Sequence, residues 1–232
     1  MRWGLGILSW GLLLAAQVGV AAEAAPSASA APARAPVLVE MFTSKYCPSC
    51  PMAEAKMKGV AADNPDLLVI FEHVDYWDRS PTQKDPYGLA EVTQRQYDYS
   101  NTLGKRAGQV FTPMPLLEGQ ILVNPPLMFS WGSALERGRA LPAKVVLTPK
   151  VAADGALTVE IPPALRGRDA VVWVMGLDPV DDTKVWRTTG LVEAEIKGTK
   201  ARLAGPMRPK GVQTLVLVQE RGPGAVLGMG WI

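Results

Sequence analysis

Two cysteines, separated by a proline and a serine in Cys47-Pro48-Ser49-Cys50, are the only cysteines in this chain of 232 residues. A strand-like apolar segment, residues 37–42, precedes the pair, and a helix-like segment, residues 52–62, follows it. The first amides of a helix are unpaired and carry partial positive charge, so they favour a thiolate over a thiol. Because the thiolate is the form of cysteine that attacks, this order of elements predicts a reactive thiol.

The elements after the pair predict a sheet that brings a second loop to the same place. Residues 67–71 form another continuous apolar run, which is typical of a strand buried on both faces. The two strands must be parallel because a helix connects them, so the loop beginning at His73 shares the edge where the cysteines lie. Three further elements are predicted: a helix starting at Asp85-Pro86, a hairpin turning at Glu118-Gly119, and a helix over residues 131–141.

This element order, with Cys-x-x-Cys after the first strand, resembles the thioredoxin fold over residues 35–141. A closer resemblance is to DUF1223, a family of exported thioredoxin-like proteins catalogued as a domain of unknown function. The segments that carry it are Val39-Glu40-Met41-Phe42-Thr43-Ser44, Cys47-Pro48-Ser49-Cys50-Pro51, His73-Val74-Asp75-Tyr76-Trp77-Asp78, Arg95-Gln96 and Thr112-Pro113. The family implies this fold and a redox pair, without a settled substrate. The chain departs from it at Trp186-Arg187-Thr188-Thr189-Gly190, where the family's Gly-Glu-Asn segment is missing.

The chemistry of the pair predicts a thiol–disulfide oxidoreductase that needs no cofactor beyond its own disulfide. Cys47, expected to be the more exposed sulfur, would attack, and Cys50, one helical turn on, would resolve the mixed disulfide. By resemblance, Glu40 would pass a proton to Cys50, although its spacing from the cysteines is one residue longer than the commonest pattern. Pro113 would match the cis-proline that faces the disulfide in this fold. Candidates for a lip that contacts substrate are Tyr46, Tyr76, Trp77 and Thr112.

Other interpretations of the same residues stay open. The disulfide can be structural, although a disulfide that closes so short a loop stabilises a fold only slightly. Cys47, Cys50 and His73 can instead bind Cu(I), which prefers soft sulfur ligands, whereas zinc lacks its usual four ligands. Glu40 can be a strand residue paired with a lysine, and Tyr76 and Trp77 can simply cover the sheet edge. A non-enzymatic binding module with a structural disulfide is therefore the further alternative.

The ends of the chain and its charge bear on location and partners. Arg2, the apolar residues 3–20 and the small residues 20–22 predict a signal peptide over residues 1–22, and the Ala/Pro/Ser-rich residues 23–36 predict a tether. Without Arg2, 23 Lys and Arg face 22 Asp and Glu. This balance gives no electrostatic support for binding nucleic acid or anionic membranes. We therefore expect a periplasmic or secreted protein without stable membrane insertion, whose partners are protein or small-molecule thiols.

The predicted fold class is α/β, a thioredoxin-like domain followed by a small all-β domain. The first would span residues 37–142. Residues 143–232 carry short strand candidates separated by turns that contain Gly and Pro, which is typical of a sandwich or of an extension packed on the first domain.

Overall fold

The structure, a computed structural model, describes Met1 and residues 34–103, 109–123 and 131–232. The predicted signal peptide, apart from Met1, and the tether up to residue 33 lie outside the described residues. Within the described ranges, none of the helices is both long and apolar enough to span a membrane. The residues Arg34–Ile232 form one compact unit.

The first part of this unit alternates strands and helices. Its elements are β1 (Val37–Thr43), α1 (Cys50–Asp63), β2 (Leu67–His73), α2 (Ala90–Thr102), β3 (Met114–Leu117), β4 (Ile121–Leu122) and α3 (Trp131–Ala140). As predicted, β1 and β2 are parallel, with Thr43 opposite His73 at their carboxyl ends. The hairpin is also present, and Glu118 and Gly119 both have positive φ, 54° and 69°. Two positive φ angles in succession are what a tight hairpin turn needs.

Two helices begin elsewhere than predicted. Helix α1 begins at Cys50 rather than at residue 52, with Ser49 as its N-cap and Pro51 inside its first turn. Proline is tolerated there because its missing N–H has no partner in the first turn. Helix α2 begins only at Ala90, after the N-cap Leu89. Asp85 therefore does not cap α2, and its carboxylate bonds elsewhere.

The second part contains strands and two short 3-10 helices. Its strands are β5 (Val145–Val146), β6 (Lys150–Val151), β7 (Leu157–Glu160), β8 (Ala170–Pro179), β9 (Val185–Ala194), β10 (Ile196–Lys197), β11 (Lys200–Leu203), β12 (Gln213–Glu220) and β13 (Val226–Trp231). The 3-10 helices are Pro163–Leu165 and Gly205–Met207.

The strands form two sheets, and the larger one runs through both predicted domains. Within the part of the chain that the structure describes, its nine strands have the order β4-β3-β1-β2-β9-β8-β12-β13-β5, and a smaller antiparallel sheet has the order β10-β11-β7-β6. Strand β9 pairs in parallel with β2, where Val69 faces Val185. The segments 37–142 and 143–232 thus share one mixed sheet, and the second extends the first edge to edge.

Alternating side chains give the large sheet two differently covered faces. On one face, Val39 and Met41 of β1 pack against Met57 of α1 and Leu135 of α3. The small sheet packs on the same face further along, under β8 and β12. On the opposite face, Phe42 packs against Tyr99 of α2. The amide of Val226 donates to the carbonyl oxygen of Glu118 at 3.2 Å, so β13 returns to the turn after β3.

Candidate functional site

The cysteine pair forms a disulfide at the start of α1. Cys47 and Cys50 are bonded, as predicted, and Cys50 is the first residue of the helix. The hydroxyl of Ser49 lies 3.7 Å from the sulfur of Cys47, and the amide of Cys50 donates to the carbonyl oxygen of Cys47. The disulfide therefore lies where helix amides carry partial positive charge, which stabilises a sulfur anion after reduction.

Both sulfurs are covered in this oxidised form. The residue Cys47 is 1% exposed and Cys50 is 0% exposed. The expectation that Cys47 is the more exposed sulfur stays a prediction for the reduced protein, because both residues are buried in the disulfide state, although the neighbours Pro48 and Ser49 are exposed. We call residues 44–49 the cysteine loop.

Asp85 holds the first half of the cysteine loop. Its Oδ2 accepts hydrogen bonds from Ser44 Oγ at 3.1 Å, from the amide of Lys45 at 2.7 Å and from His73 Nδ1 at 3.0 Å. Burial by itself raises the pKa of Asp85, but the hydrogen bonds from His73 and from the amides of Lys45 and Tyr87 outweigh it and lower the pKa to about 2. Asp85 is thus ionised at neutral pH and can only accept hydrogen bonds, so His73 Nδ1 carries the proton between them.

A row of side chains continues from this carboxylate to β9. The ring of His73 packs edge-on against Tyr87, with centroids 5.3 Å apart. The guanidinium carbon of Arg187 lies 3.5 Å from the centre of the Tyr87 ring. Arg187 of β9 is therefore a cation separated from His73 by one side chain, that of Tyr87.

Residues 111–113, which we call the proline loop, lie beside the end of β1. The Thr112-Pro113 peptide bond is cis. Met114 is in register with Phe42, so Pro113, the residue before it, lies next to the strand end from which the cysteine loop departs. The proline loop is held by α2, since Gln96 Nε2 donates to the carbonyl oxygen of Phe111 at 2.7 Å.

Three of the four predicted lip residues come together. Trp77 Nε1 donates to Thr112 Oγ1 at 2.8 Å, and the rings of Tyr76 and Trp77 are 6.4 Å apart. Burial raises the pKa of Tyr76 to about 12, so its phenol stays neutral. Tyr46, the fourth, lies in the cysteine loop, where the ammonium of Lys45 is 5.9 Å from its ring centre.

Glu40 does not lie where a proton shuttle to Cys50 would need it. It shares the face of β1 with Phe42, opposite the face that α1 covers. Its Oε1 accepts from Arg95 Nε at 2.8 Å, and its Oε2 accepts from the hydroxyl of Tyr99 at 2.7 Å. The extra residue in its spacing is the cause, because a shift of one residue moves a side chain to the other face of a strand. The cation that pairs with Glu40 is thus Arg95, and not a lysine as in the alternative interpretation.

A carboxylate on the side of α1 is Glu54, which the sequence reasoning did not single out. It lies one helical turn after Cys50, and the hydroxyl of Thr43 donates to its Oε1 at 2.5 Å. Positions four apart share one face of a helix. The spacing of Cys50 and Glu54 is visible in the sequence, but the contact of Glu54 with Thr43 at the end of β1 is seen only in the structure.

Glu72 is a second acid that sequence reasoning missed. It is in register with Phe42, shares the face of Glu40 and lies close enough for the two carboxyl groups to interact. Burial raises its pKa well above the ordinary value; the nearby Glu40 raises it further, and Arg95 opposes the rise. Glu72 therefore keeps its proton to a higher pH than an exposed glutamate.

The residues proposed for copper do not form a ligand set in this state. Cys47 and Cys50 are joined to each other, and His73 Nδ1 is bound to Asp85. Across the described ranges, His, Cys, Asp and Glu side chains do not gather in a group of three suited to a metal.

Comparison with known proteins gives the family. Residues 38–190, more than half of the chain, match the model described as "Protein of unknown function (DUF1223)". This chain belongs to the DUF1223 family. The part of this DUF1223 protein that matches includes the cysteine loop and ends at Gly190, inside β9. Among curated proteins, the search found no match at a significant level.

Two solved structures are similar to this DUF1223 protein. A protein of Agrobacterium tumefaciens, known from its crystal structure, is 24% identical with a TM-score of 0.53, over 84% of this chain and 93% of that one. HBP35 of Porphyromonas gingivalis is 13% identical with a TM-score of 0.55, over 86% of this chain and 75% of that one. At these identities the likeness concerns the fold alone.

Proposed function

We propose that this DUF1223 protein is an exported, thioredoxin-like thiol–disulfide oxidoreductase acting on protein or small-molecule thiols in the periplasm or outside the cell. The observation that supports it most is the Cys47–Cys50 disulfide at the first turn of α1, directly after a buried parallel strand. A helix N-terminus stabilises the thiolate that exchange requires, and a pair so close in the chain closes a ring too small to stabilise a fold by much.

The reaction follows from the positions of the two sulfurs. In the reducing direction, the Cys47 thiolate attacks one sulfur of a substrate disulfide, whose S–S bond breaks and releases a substrate thiolate. The Cys50 thiolate then attacks the Cys47 sulfur, and the second substrate thiolate leaves as the Cys47–Cys50 bond forms. Both substrate thiolates take up protons, and two electrons pass from the cysteine pair to the substrate. The oxidising direction is the same sequence reversed.

The cover over the disulfide sets a condition on this reaction. Since Cys47 is 1% exposed, an incoming thiolate reaches its sulfur only when the cysteine loop moves outward. The loop is anchored at Ser44 and Lys45, whereas Pro48 and Ser49 are exposed. We therefore expect the outer half of the loop to open while the inner half stays in place.

Trapping of mixed disulfides tests the proposal. A Cys50→Ala variant keeps the attacking sulfur and cannot release its partner, so it should accumulate covalent complexes on non-reducing gels of the exported fraction. The matched control is Cys47→Ala, which keeps only the sulfur within the helix and should trap nothing. Equal trapping by the two variants, or none by either, would refute the assignment of Cys47.

A non-enzymatic module with a structural disulfide is the second candidate, favoured by the burial of both cysteines. It predicts that the folded protein resists reduction by millimolar glutathione and that a double Cys→Ser variant is measurably less stable. The oxidoreductase predicts ready reduction of the native protein and a small change in stability. Liquid chromatography of alkylated protein, with a thermal melt of the double variant, distinguishes the two.

A further inference from the structure

Asp85 gathers four hydrogen-bond donors around one carboxylate. Ser44 Oγ, the Lys45 amide and His73 Nδ1 donate to Oδ2, and the Tyr87 amide donates to Oδ1 at 3.0 Å. The residue is 1% exposed. A buried carboxylate with this many donors fixes the groups around it, since each donor would lose a charge-assisted hydrogen bond by moving.

The bonds to Asp85 reach the residue that precedes Cys47. Besides donating to Asp85, the hydroxyl of Ser44 accepts from the amide of Tyr46 at 3.2 Å. The amide of Cys47 in turn donates to the carbonyl oxygen of Ser44 at 3.2 Å. Three successive amides, those of Lys45, Tyr46 and Cys47, are thus held directly by Asp85 or through Ser44. The path of the backbone into Cys47 is therefore set by a residue 38 positions away.

We propose that Asp85 is a positioning residue of the cysteine site: by holding residues 44–46, it keeps the sulfur of Cys47 at the start of α1. This inference rests on the proposed function, for which the placement of that sulfur matters. The groups around the carboxylate are His73 from β2, Lys45 from the cysteine loop, Asp78, whose Oδ1 accepts from the Asp85 amide, and Arg187 from β9 beyond Tyr87.

Charge and position have opposite effects on Cys47, which makes the inference testable. As a negative charge near the loop, Asp85 would disfavour a thiolate, so its neutralisation alone would lower the pKa of the thiol. As an anchor, Asp85 favours the thiolate by keeping it at the helix N-terminus, so its loss would raise the pKa towards the ordinary value of about 8.5. Ser44→Ala removes one anchor and changes no charge.

The experiment uses reduced protein carrying Cys50→Ala, so that only Cys47 reacts. The rate of alkylation by iodoacetamide is measured against pH in this parent, in Asp85→Asn, in Ser44→Ala and in the control Asp154→Asn. Asp154 also accepts from a backbone amide, that of Ala156 at 2.9 Å, in the exposed turn between β6 and β7, so it controls for the loss of such a carboxylate outside the cysteine loop. Thermal melts of all four identify any variant that fails to fold, and Ser44→Ala then decides the outcome.

We expect the alkylation midpoint to rise by about one pH unit in Asp85→Asn, which is a tenfold smaller thiolate fraction at a pH well below both midpoints. The midpoint should rise in the same direction in Ser44→Ala and be unchanged in Asp154→Asn. A midpoint that falls in Asp85→Asn, or that stays constant in both site variants, overturns the inference. Alkylation requires no turnover. If no partner is trapped but the midpoints shift, the proposed function fails and the positioning role stands.

Discussion

Replacing Arg95 by methionine should cost the fold about 3–5 kcal/mol, because it leaves a buried carboxylate without its cation. The side chains of Arg95 and Glu40 are both 0% exposed, and Arg95 Nη2 lies 2.7 Å from Glu40 Oε1. Methionine preserves much of the length and the apolar stem, so packing changes little. The rings of Tyr99 and Trp173 lie 4.9 and 4.8 Å from the guanidinium carbon, so their cation–π contacts are lost as well.

Equilibrium unfolding in urea, followed by far-UV circular dichroism, measures this loss. Adding Glu40→Gln to Arg95→Met should regain about 2 kcal/mol or more of it, since the pair's charges are then both removed and the new side-chain amide oxygen still accepts from Tyr99. The matched control is Arg139→Met, because Arg139 pairs with Asp66 at the surface, where the side chains are 38% and 47% exposed. That change should cost about 0–1 kcal/mol. A loss below about 1 kcal/mol for Arg95→Met would contradict the reasoning.

Three further predictions concern single positions. Glu72→Gln should raise the free energy of unfolding at pH 7 but not below pH 4.5. Burial raises the pKa of Glu72 in the folded protein, so the wild type loses stability as the pH rises past the ordinary value of 4.5. Urea midpoints measured against pH test this. Because the pKa of Asp85 is lowered to about 2, this residue should contribute about 1–2 kcal/mol to the free energy of unfolding above pH 4. That contribution is lost as the pH falls from about 4 to 2, and Asp85→Asn should flatten this part of the curve of stability against pH. Gly119→Ala should cost about 1–3 kcal/mol, since φ is +69° and a Cβ would lie 2.1 Å from the carbonyl oxygen of Gly224. Gly59→Ala, with open space in α1, should instead gain about 0.5–1 kcal/mol, and thermal melts compare the two.

Local patterns in the sequence were enough for the first half of the fold. The apolar runs of β1 and β2 predict two parallel strands because a helix lies between them, and Glu118-Gly119 predicts the hairpin by its backbone preference. Strand β13 has only a weak strand pattern in sequence, because Gly228 and Gly230 interrupt it. A Cβ at Gly230 would lie 2.4 Å from the carbonyl oxygen of Leu147, so the glycine serves a contact with a distant segment.

The site was only partly predictable, because its key contacts join residues far apart in sequence. Cys47 and Cys50 stand out by spacing alone. The sequence Asp85-Pro86 predicts the start of a helix, and nothing near it in sequence indicates that Ser44 and His73 both donate to the Asp85 carboxylate. The resemblance implies that Glu40 is a proton shuttle, but Glu40 lies one residue further from the cysteines than in the commonest pattern. A shift of one residue places a side chain on the opposite face of a strand.

The pairing of β9 with β2 was likewise beyond local reasoning. Val69 and Val185 meet across more than a hundred residues of chain, and the hydrophobic pattern of each strand suits many partners. This pairing brings Arg187 to Tyr87 beside the cysteine site, so a residue from the second half of the chain lies next to the candidate site.

The reduction potential of the Cys47–Cys50 couple tests the central claim most directly. The folded protein is equilibrated with glutathione buffers of known potential, quenched with an alkylating reagent and quantified by mass. A pair that exchanges in function should lie between about −270 and −120 mV, the range of thiol–disulfide oxidoreductases. A value below about −300 mV, typical of structural disulfides, would contradict a redox role for this pair.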